Sequence, residues 1–169
     1  MIAVDMDGTF LSDQKTYNKA RFLARYQQIK QQNIRFVVAS GNQYYQLISF
    51  FPEIRDEITF VAENGAYIID RGQTLFCGDL SADRVQRVLT VLSAFPDVHV
   101  VLCGPRSAWM LGSSPDALVT LMSKHYHRLE LRESFDHLNE SVFKFSLNLP
   151  DEKIPELMAH VGHALDGLV

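Results

Sequence analysis

A short apolar run, Ile2-Ala3-Val4, ends abruptly in Asp5-Met6-Asp7-Gly8-Thr9, and no other stretch of this chain limits its folding so strongly. β-Branched residues ahead of two carboxylates and a glycine predict a buried strand that stops where the charges begin. The segments that follow extend the pattern. A polar loop through Ser12, Asp13 and Thr16 leads to Phe22, Leu23, Tyr26 and Ile29 at helical spacing, with Asn33 as the stop signal. Residues 34–39 read as a second strand that ends at Ser40-Gly41-Asn42. Tyr44, Leu47, Ile48 and Phe51 mark a second helix closed by Pro52, and Phe60-Val61-Ala62 reads as a third strand. Strand, helix, strand, helix, strand is the order of a parallel sheet with right-handed crossovers, and such a sheet binds ligands at the carboxyl ends of its strands.

Beyond Asn64-Gly65 the pattern changes. Residues 66–69 and 74–76 flank the turn signal Asp70-Arg71-Gly72, which predicts a hairpin. A new unit starts near Ser81. Val85, Val88, Leu89 and Leu92 form a helical stripe, and residues 98–102 and 108–111 read as strands around Gly104-Pro105. Ser114-Pro115 opens a helix with Leu118, Leu121 and Met122 on its buried side. Phe143, Phe145, Leu147 and Leu149 alternate with polar residues, as in a half-buried strand. A last helix carries Ile154, Leu157, Met158, Val161 and Leu165. The expected domains are therefore residues 1–80, built on a parallel sheet, and residues 81–169, an α+β unit with antiparallel character.

Composition narrows the partners. At 169 residues, 47% of them hydrophobic, the chain can hold one sizeable core or two small ones. With a formal net charge of -4 and no basic block, it lacks the charge footprint for a nucleic-acid backbone or an anionic membrane surface. Its apolar runs fall far below the ~20 residues of a bilayer-spanning helix. Asp5 and Asp7 stand where a secretory signal would carry a basic start and an apolar stretch, so a cytoplasmic location is expected. Cys77 and Cys103 are isolated, without metal-ligand spacing, and read as packing or surface residues.

The chemistry concentrates at the strand ends. Asp5 and Asp7 can share a site while pointing differently, so that one serves as nucleophile or metal ligand and the other as acid and base. Gly8 allows the sharp turn this requires. An EF-hand calcium loop would place its glycine later and close on a Glu, and no strand would precede it. Ser40, Gly41 and Asn42 offer a hydroxyl and backbone amides to an anion such as a phosphoryl group, although Ser and Asn also serve as plain helix caps. Asn64 and Gly65 reach the same edge from the third strand, or simply form a turn. His125 with His127, and His160 with His163, lack a third ligand and read as solvated or hydrogen-bonded histidines. Trp109, Tyr126, the Tyr44-Tyr45 pair and the Phe50-Phe51 pair read as packing residues.

Residues 5–9 resemble the first motif, Asp-x-Asp-Gly-Thr, of the haloacid-dehalogenase-type phosphohydrolases, and Ser40 matches the Ser/Thr of the second. Residues 37–45, with Ala62-Glu63-Asn64-Gly65-Ala66, resemble bacterial sugar phosphatases of the Cof-like branch. The resemblance implies an α/β fold, a Rossmann-like parallel core with an inserted α+β cap of the larger type. It makes Asp5 the nucleophile and a Mg²⁺ ligand. Asp7 becomes the general acid and base and lends the metal its backbone carbonyl, while Ser40 holds a phosphate oxygen, with Gly8, Thr9, Gly41, Asn42 and Asn64 around the phosphate. Spacing agrees with the branch, because the segment from Thr9 to Ser40 is used up by one loop, one helix and one strand, leaving no room for a cap there.

The implied activity is hydrolysis of small sugar phosphates through an aspartyl-phosphate. Transfer to another hydroxyl, as in a phosphotransferase or mutase, and a non-catalytic remnant are the alternatives. The family also uses a later Lys and a Gly-Asp-x-x-x-Asp stretch on strands after the cap. Lys144 and Lys153 fall within cap elements and Asp166 lacks the surrounding pattern, so the chain reads as a phosphatase truncated after its cap. The strand of residues 2–4 would then have a single neighbour, and self-association through that open edge is expected.

Overall fold

The structure, a computed structural model, describes residues 1–136 and 138–165; Asp166 lies outside them. The chain forms two compact units, Met1–Cys77 with His125–His127, and Gly78–Lys124 with residues from Arg128 onward.

The first unit contains β1 (Ile2–Asp5), α1 (Lys19–Gln31), β2 (Phe36–Ala39), α2 (Tyr44–Phe50), β3 (Thr59–Ala62), β4 (Tyr67–Asp70) and β5 (Gln73–Cys77), in the sheet order β1-β2-β3-β4-β5. β1, β2 and β3 are parallel, with Asp5 opposite Ala39 and Ala39 opposite Val61, so the carboxyl ends of all three fall at one level. Two crossovers of one hand, both stepping the same way across the sheet, put α1 and α2 on the same face. There Phe36, Val38, Phe60 and Ala62 are buried beneath Tyr26, Leu47 and Phe51. Asn18 caps α1 by accepting the Arg21 amide at 2.9 Å, and Asn33 ends it in the left-handed region at φ 55. β4 turns back on β3, then pairs with β5 through Arg71 (φ 50) and Gly72 (φ 78); two positive φ values in a two-residue loop match the right-handed strand twist.

β1 has a single neighbour, β2, among the described residues, as expected, and is therefore an edge strand rather than the buried one its β-branched residues suggest: only Val4 packs against the core, and Ile2 is 39% exposed.

The second unit contains α3 (Ala82–Leu92), β6 (His99–Cys103), β7 (Ala108–Leu111), α4 (Asp116–His125), β8 (Leu129–Arg132), β9 (Lys144–Asn148) and α5 (Ile154–Ala164), although His125 at the end of α4 groups with the first unit. Its sheet runs β8-β7-β6-β9. β6 pairs antiparallel with both β7 and β9, whereas β7 and β8 are parallel. α3 and α5 cover one face, where Val88, Leu92, Leu157 and Leu165 meet Val100, Phe145 and Leu147. Trp109 is buried beside Val85, Leu102 and Val142, and its indole N–H donates to Glu130 at 3.2 Å. His160 packs edge-on against Phe95.

Leu121, expected on the buried side of its helix, lies outside, and two apolar residues of the last helix are exposed as well. Leu121 (43% exposed) flanks the Leu118–Met122 line of α4, while Ile154 (41%) and Met158 (66%) flank the Leu157–Val161–Leu165 line of α5. Each helix buries a stripe one residue wide, repeating every four positions, and residues beside it face water. β8 was not foreseen from the sequence.

Candidate active site

The loop after β1 is built by what it buries. Met6 is fully buried and Leu11 nearly so, and the Leu11 N–H donates to the Met6 carbonyl at 2.9 Å while the Phe10 N–H donates to the Asp5 carbonyl at 3.1 Å. With Met6 and Leu11 turned inward, Asp5, Asp7, Gly8 and Thr9 face solvent. Gly8 makes the turn at φ +73, a conformation that strains residues bearing a Cβ. Phe10 anchors the loop among Tyr17, Phe22, Phe36 and Phe51, at centroid distances of 4.9, 5.1, 6.0 and 5.6 Å.

The loop after β2 comes to the same edge. The Ser40 N–H extends the ladder to the Val61 carbonyl at 2.9 Å, and the Ser40 hydroxyl accepts the Asn42 N–H at 3.2 Å. The loop after β3 is knitted to it: Asn64 donates its N–H to the Ser40 carbonyl and Glu63 donates its own to the Asn42 carbonyl, both at 3.2 Å. Glu63 (φ 55) and Asn64 (φ 58) are both left-handed, and the Glu63 side chain is buried. Gly41 eases the close approach of the two loops, since a Cβ there would sit 2.5 Å from the Asn64 Oδ1 and displace that side chain. α2 is only seven residues long, so its dipole adds little at this edge.

Both carboxylates stand at this edge, in different surroundings. Asp5 is exposed, and its carboxylate accepts no hydrogen bond among the described residues. Asp7 has both oxygens engaged: Lys15 Nζ donates to Oδ1 at 2.6 Å and Asn42 Nδ2 donates to Oδ2 at 2.9 Å. The Lys15 hydrogen bond, joined by that of Asn42 and opposed by partial desolvation, holds the Asp7 carboxyl below the usual carboxylate range. The pair is solvent-screened, with side chains 62% and 41% exposed, so it orients Asp7 more than it stabilises the fold.

Lys15 was not foreseen from the sequence. A tight turn brings it in, with the Lys15 N–H donating to the Ser12 carbonyl at 2.8 Å and the Ser12 N–H to the Thr16 carbonyl at 2.9 Å. Lys15 itself adopts φ 56, a conformation costing a residue with a Cβ roughly 1–2 kcal/mol. Asn42, expected at the phosphate, donates its side-chain amide to Asp7. Gly8 and Thr9 form the exposed turn that follows Asp7, and the Thr9 hydroxyl has no hydrogen-bond partner among the described residues.

For a metal ion, the Asp5 carboxylate and the Asp7 backbone carbonyl are oxygen donors of the hard type that Mg²⁺ takes while keeping several waters. Among the described residues, no group of three or more His, Cys, Asp or Glu side chains gathers there or elsewhere. Oxygen donors of this kind fit Mg²⁺.

Residues 2–169 match the haloacid dehalogenase-like hydrolase family. The chain is 54% identical over its whole length to the 5-amino-6-(5-phospho-D-ribitylamino)uracil phosphatase YbjI of Escherichia coli, and spans 62% of that protein. A Streptococcus mutans protein of known crystal structure is 33% identical, with a TM-score of 0.85 over 95% of this chain and 60% of its own. A haloacid dehalogenase-like hydrolase from Bacteroides thetaiotaomicron shares the fold at 18% identity, with a TM-score of 0.80 over 98% of this chain and 64% of its own.

Proposed function

Because the chain belongs to the haloacid dehalogenase-like hydrolase family, we propose that it carries the nucleophile, the acid–base residue and the phosphate loop of a phosphatase acting on small phosphomonoesters. One observation bears most of this reading: an unengaged carboxylate, Asp5, and a clamped one, Asp7, stand two residues apart on the sheet edge shared with Ser40 and Asn64. An Asp5 oxygen attacks phosphorus and the bond to the leaving oxygen breaks, with Asp7, reacting in its protonated form, giving that oxygen its proton. In the second step Asp7 takes a proton from the water that hydrolyses the aspartyl-phosphate. Ser40 donates to a phosphate oxygen. Mg²⁺, held by the Asp5 carboxylate and the Asp7 carbonyl, would offset the repulsion between carboxylate and phosphate.

The relative's substrate, a 5-phospho-D-ribityl compound, supports a sugar-like phosphate here. Substrate selection falls to the second unit, which takes the part of the cap. The outer edge of β1, unpaired among the described residues, is proposed to pair with a second copy of the chain, which sedimentation reads.

The test is phosphate release from phosphorylated sugars, with Mg²⁺, by this chain and by a longer one. Asp5→Asn is expected to abolish turnover and the trapped aspartyl-phosphate, because an amide is not a nucleophile. Phosphoenzyme formed normally by the Asp5→Asn protein overturns the assignment, and inertness of both the short and the long chain leaves the binding-remnant alternative standing.

A further inference from the structure

We propose that Lys15 is a positioning residue for the chemistry of Asp7, fixing the plane of its carboxylate together with Asn42. The proposal rests on the role assigned to Asp7 above. An aspartate carboxylate turns about a broad, two-fold torsion, so one hydrogen bond at one oxygen leaves it free to swing. Here the two oxygens are taken by donors from separate loops, Lys15 at 2.6 Å from the segment after β1 and Asn42 at 2.9 Å from the segment after β2. The plane is thereby set against the whole sheet edge rather than against its own loop.

The backbone of the Lys15 turn gives a second and independent indication. Ser12 and Thr16 close it with reciprocal contacts, the Ser12 N–H on the Thr16 carbonyl at 2.9 Å and the two hydroxyls 3.1 Å apart. At φ 56 the turn calls for Gly or Asn, yet a lysine occupies it. Glycine would relieve the backbone and could not reach Asp7. The strained position is filled by a side chain whose ammonium ends on the acid–base residue, and strain of that kind marks positions kept for what they do rather than for how they pack.

Lys15→Gly separates the two effects, since it relaxes the turn while removing the ammonium. In the intact protein with Mg²⁺ and p-nitrophenyl phosphate, it is expected to keep the thermal midpoint. It should lower kcat roughly ten- to a hundredfold with KM changed by no more than about twofold. Lys15→Arg should recover part of the loss. In an Asp7→Asn background, Lys15→Gly should cost nothing further, because no carboxylate remains to be positioned. An unchanged kcat, the same fold-loss in the Asp7→Asn background, or a rise in KM alone would each overturn the proposal, the last by making Lys15 a direct phosphate ligand. An Asp7→Asn protein with normal turnover would instead remove the acid–base role of Asp7, a failure of the underlying reading that the Lys15 variants do not produce.

Discussion

Phe10 ties the loop after β1 to the core, and removing its ring should cost both stability and order. Its ring meets four aromatic neighbours, Tyr17, Phe22, Phe36 and Phe51, all within 6.0 Å between centroids. Truncating a core phenylalanine to alanine costs ~3–5 kcal/mol. Phe10 is half-buried, which places Phe10→Ala at the low end, about 3 kcal/mol, with aromatic pairing worth about 0.5–1.5 kcal/mol per contact included in that figure. For a unit of this size each kcal/mol moves the midpoint by ~4–8 °C, so the first unit should melt roughly 12–24 °C lower. Phe10→Leu keeps apolar volume and should cost less than about 1.5 kcal/mol. The reporter is the near-ultraviolet circular dichroism of tyrosine, because Tyr17, Tyr26, Tyr44, Tyr45 and Tyr67 all lie in the first unit, whereas the single tryptophan, Trp109, lies in the second. A loss below about 1 kcal/mol for Phe10→Ala would show that the ring covers the cluster without bearing on it.

Gly104→Ala should destabilise the second unit by about 3 kcal/mol through overpacking, because a Cβ there would lie 2.2 Å from the Ser141 carbonyl oxygen and 2.7 Å from the Trp109 ring. The Trp109 fluorescence midpoint checks this, and a native-like midpoint would mean that the Ser141 backbone yields. Sedimentation velocity should reveal a concentration-dependent dimer of this chain, weakened by Ile2→Lys on the β1 edge; a monomer at all concentrations counts against edge pairing.

Elements whose identity depends on burial or on backbone chemistry were legible from residues alone. The Ile2-Ala3-Val4 run, the Asn33 stop, the Asp70-Arg71-Gly72 hairpin and the helical stripe of Val85, Val88, Leu89 and Leu92 each carry a local physical signal, and the structure has them where expected. β8 escaped because its Leu-Glu-Leu-Arg sequence buries little; pairing with β7 makes it a strand, and pairing leaves no mark in composition. In β1 the β-branched residues report a strand but not how many neighbours it has, and its open edge was read from the family pattern instead. At the site, the two carboxylates, Ser40 and Asn64 were readable from their places at strand ends, whereas Lys15 sits in a polar loop with no periodicity. Its left-handed backbone, where glycine or asparagine is the usual signal, concealed the turn that carries it.

The two sheets differ in when they can be completed. In the first, every strand pairs with the one before it in sequence, so each new strand finds its partner already made as the chain leaves the ribosome. In the second, β6 needs β9, with His99 opposite Asn148. At synthesis rates of ~5–20 residues per second, β6 waits roughly 2–10 s with one apolar edge open, on which another nascent chain or a chaperone can settle. Any lag or aggregation during production of this protein should therefore originate between the synthesis of β6 and that of β9.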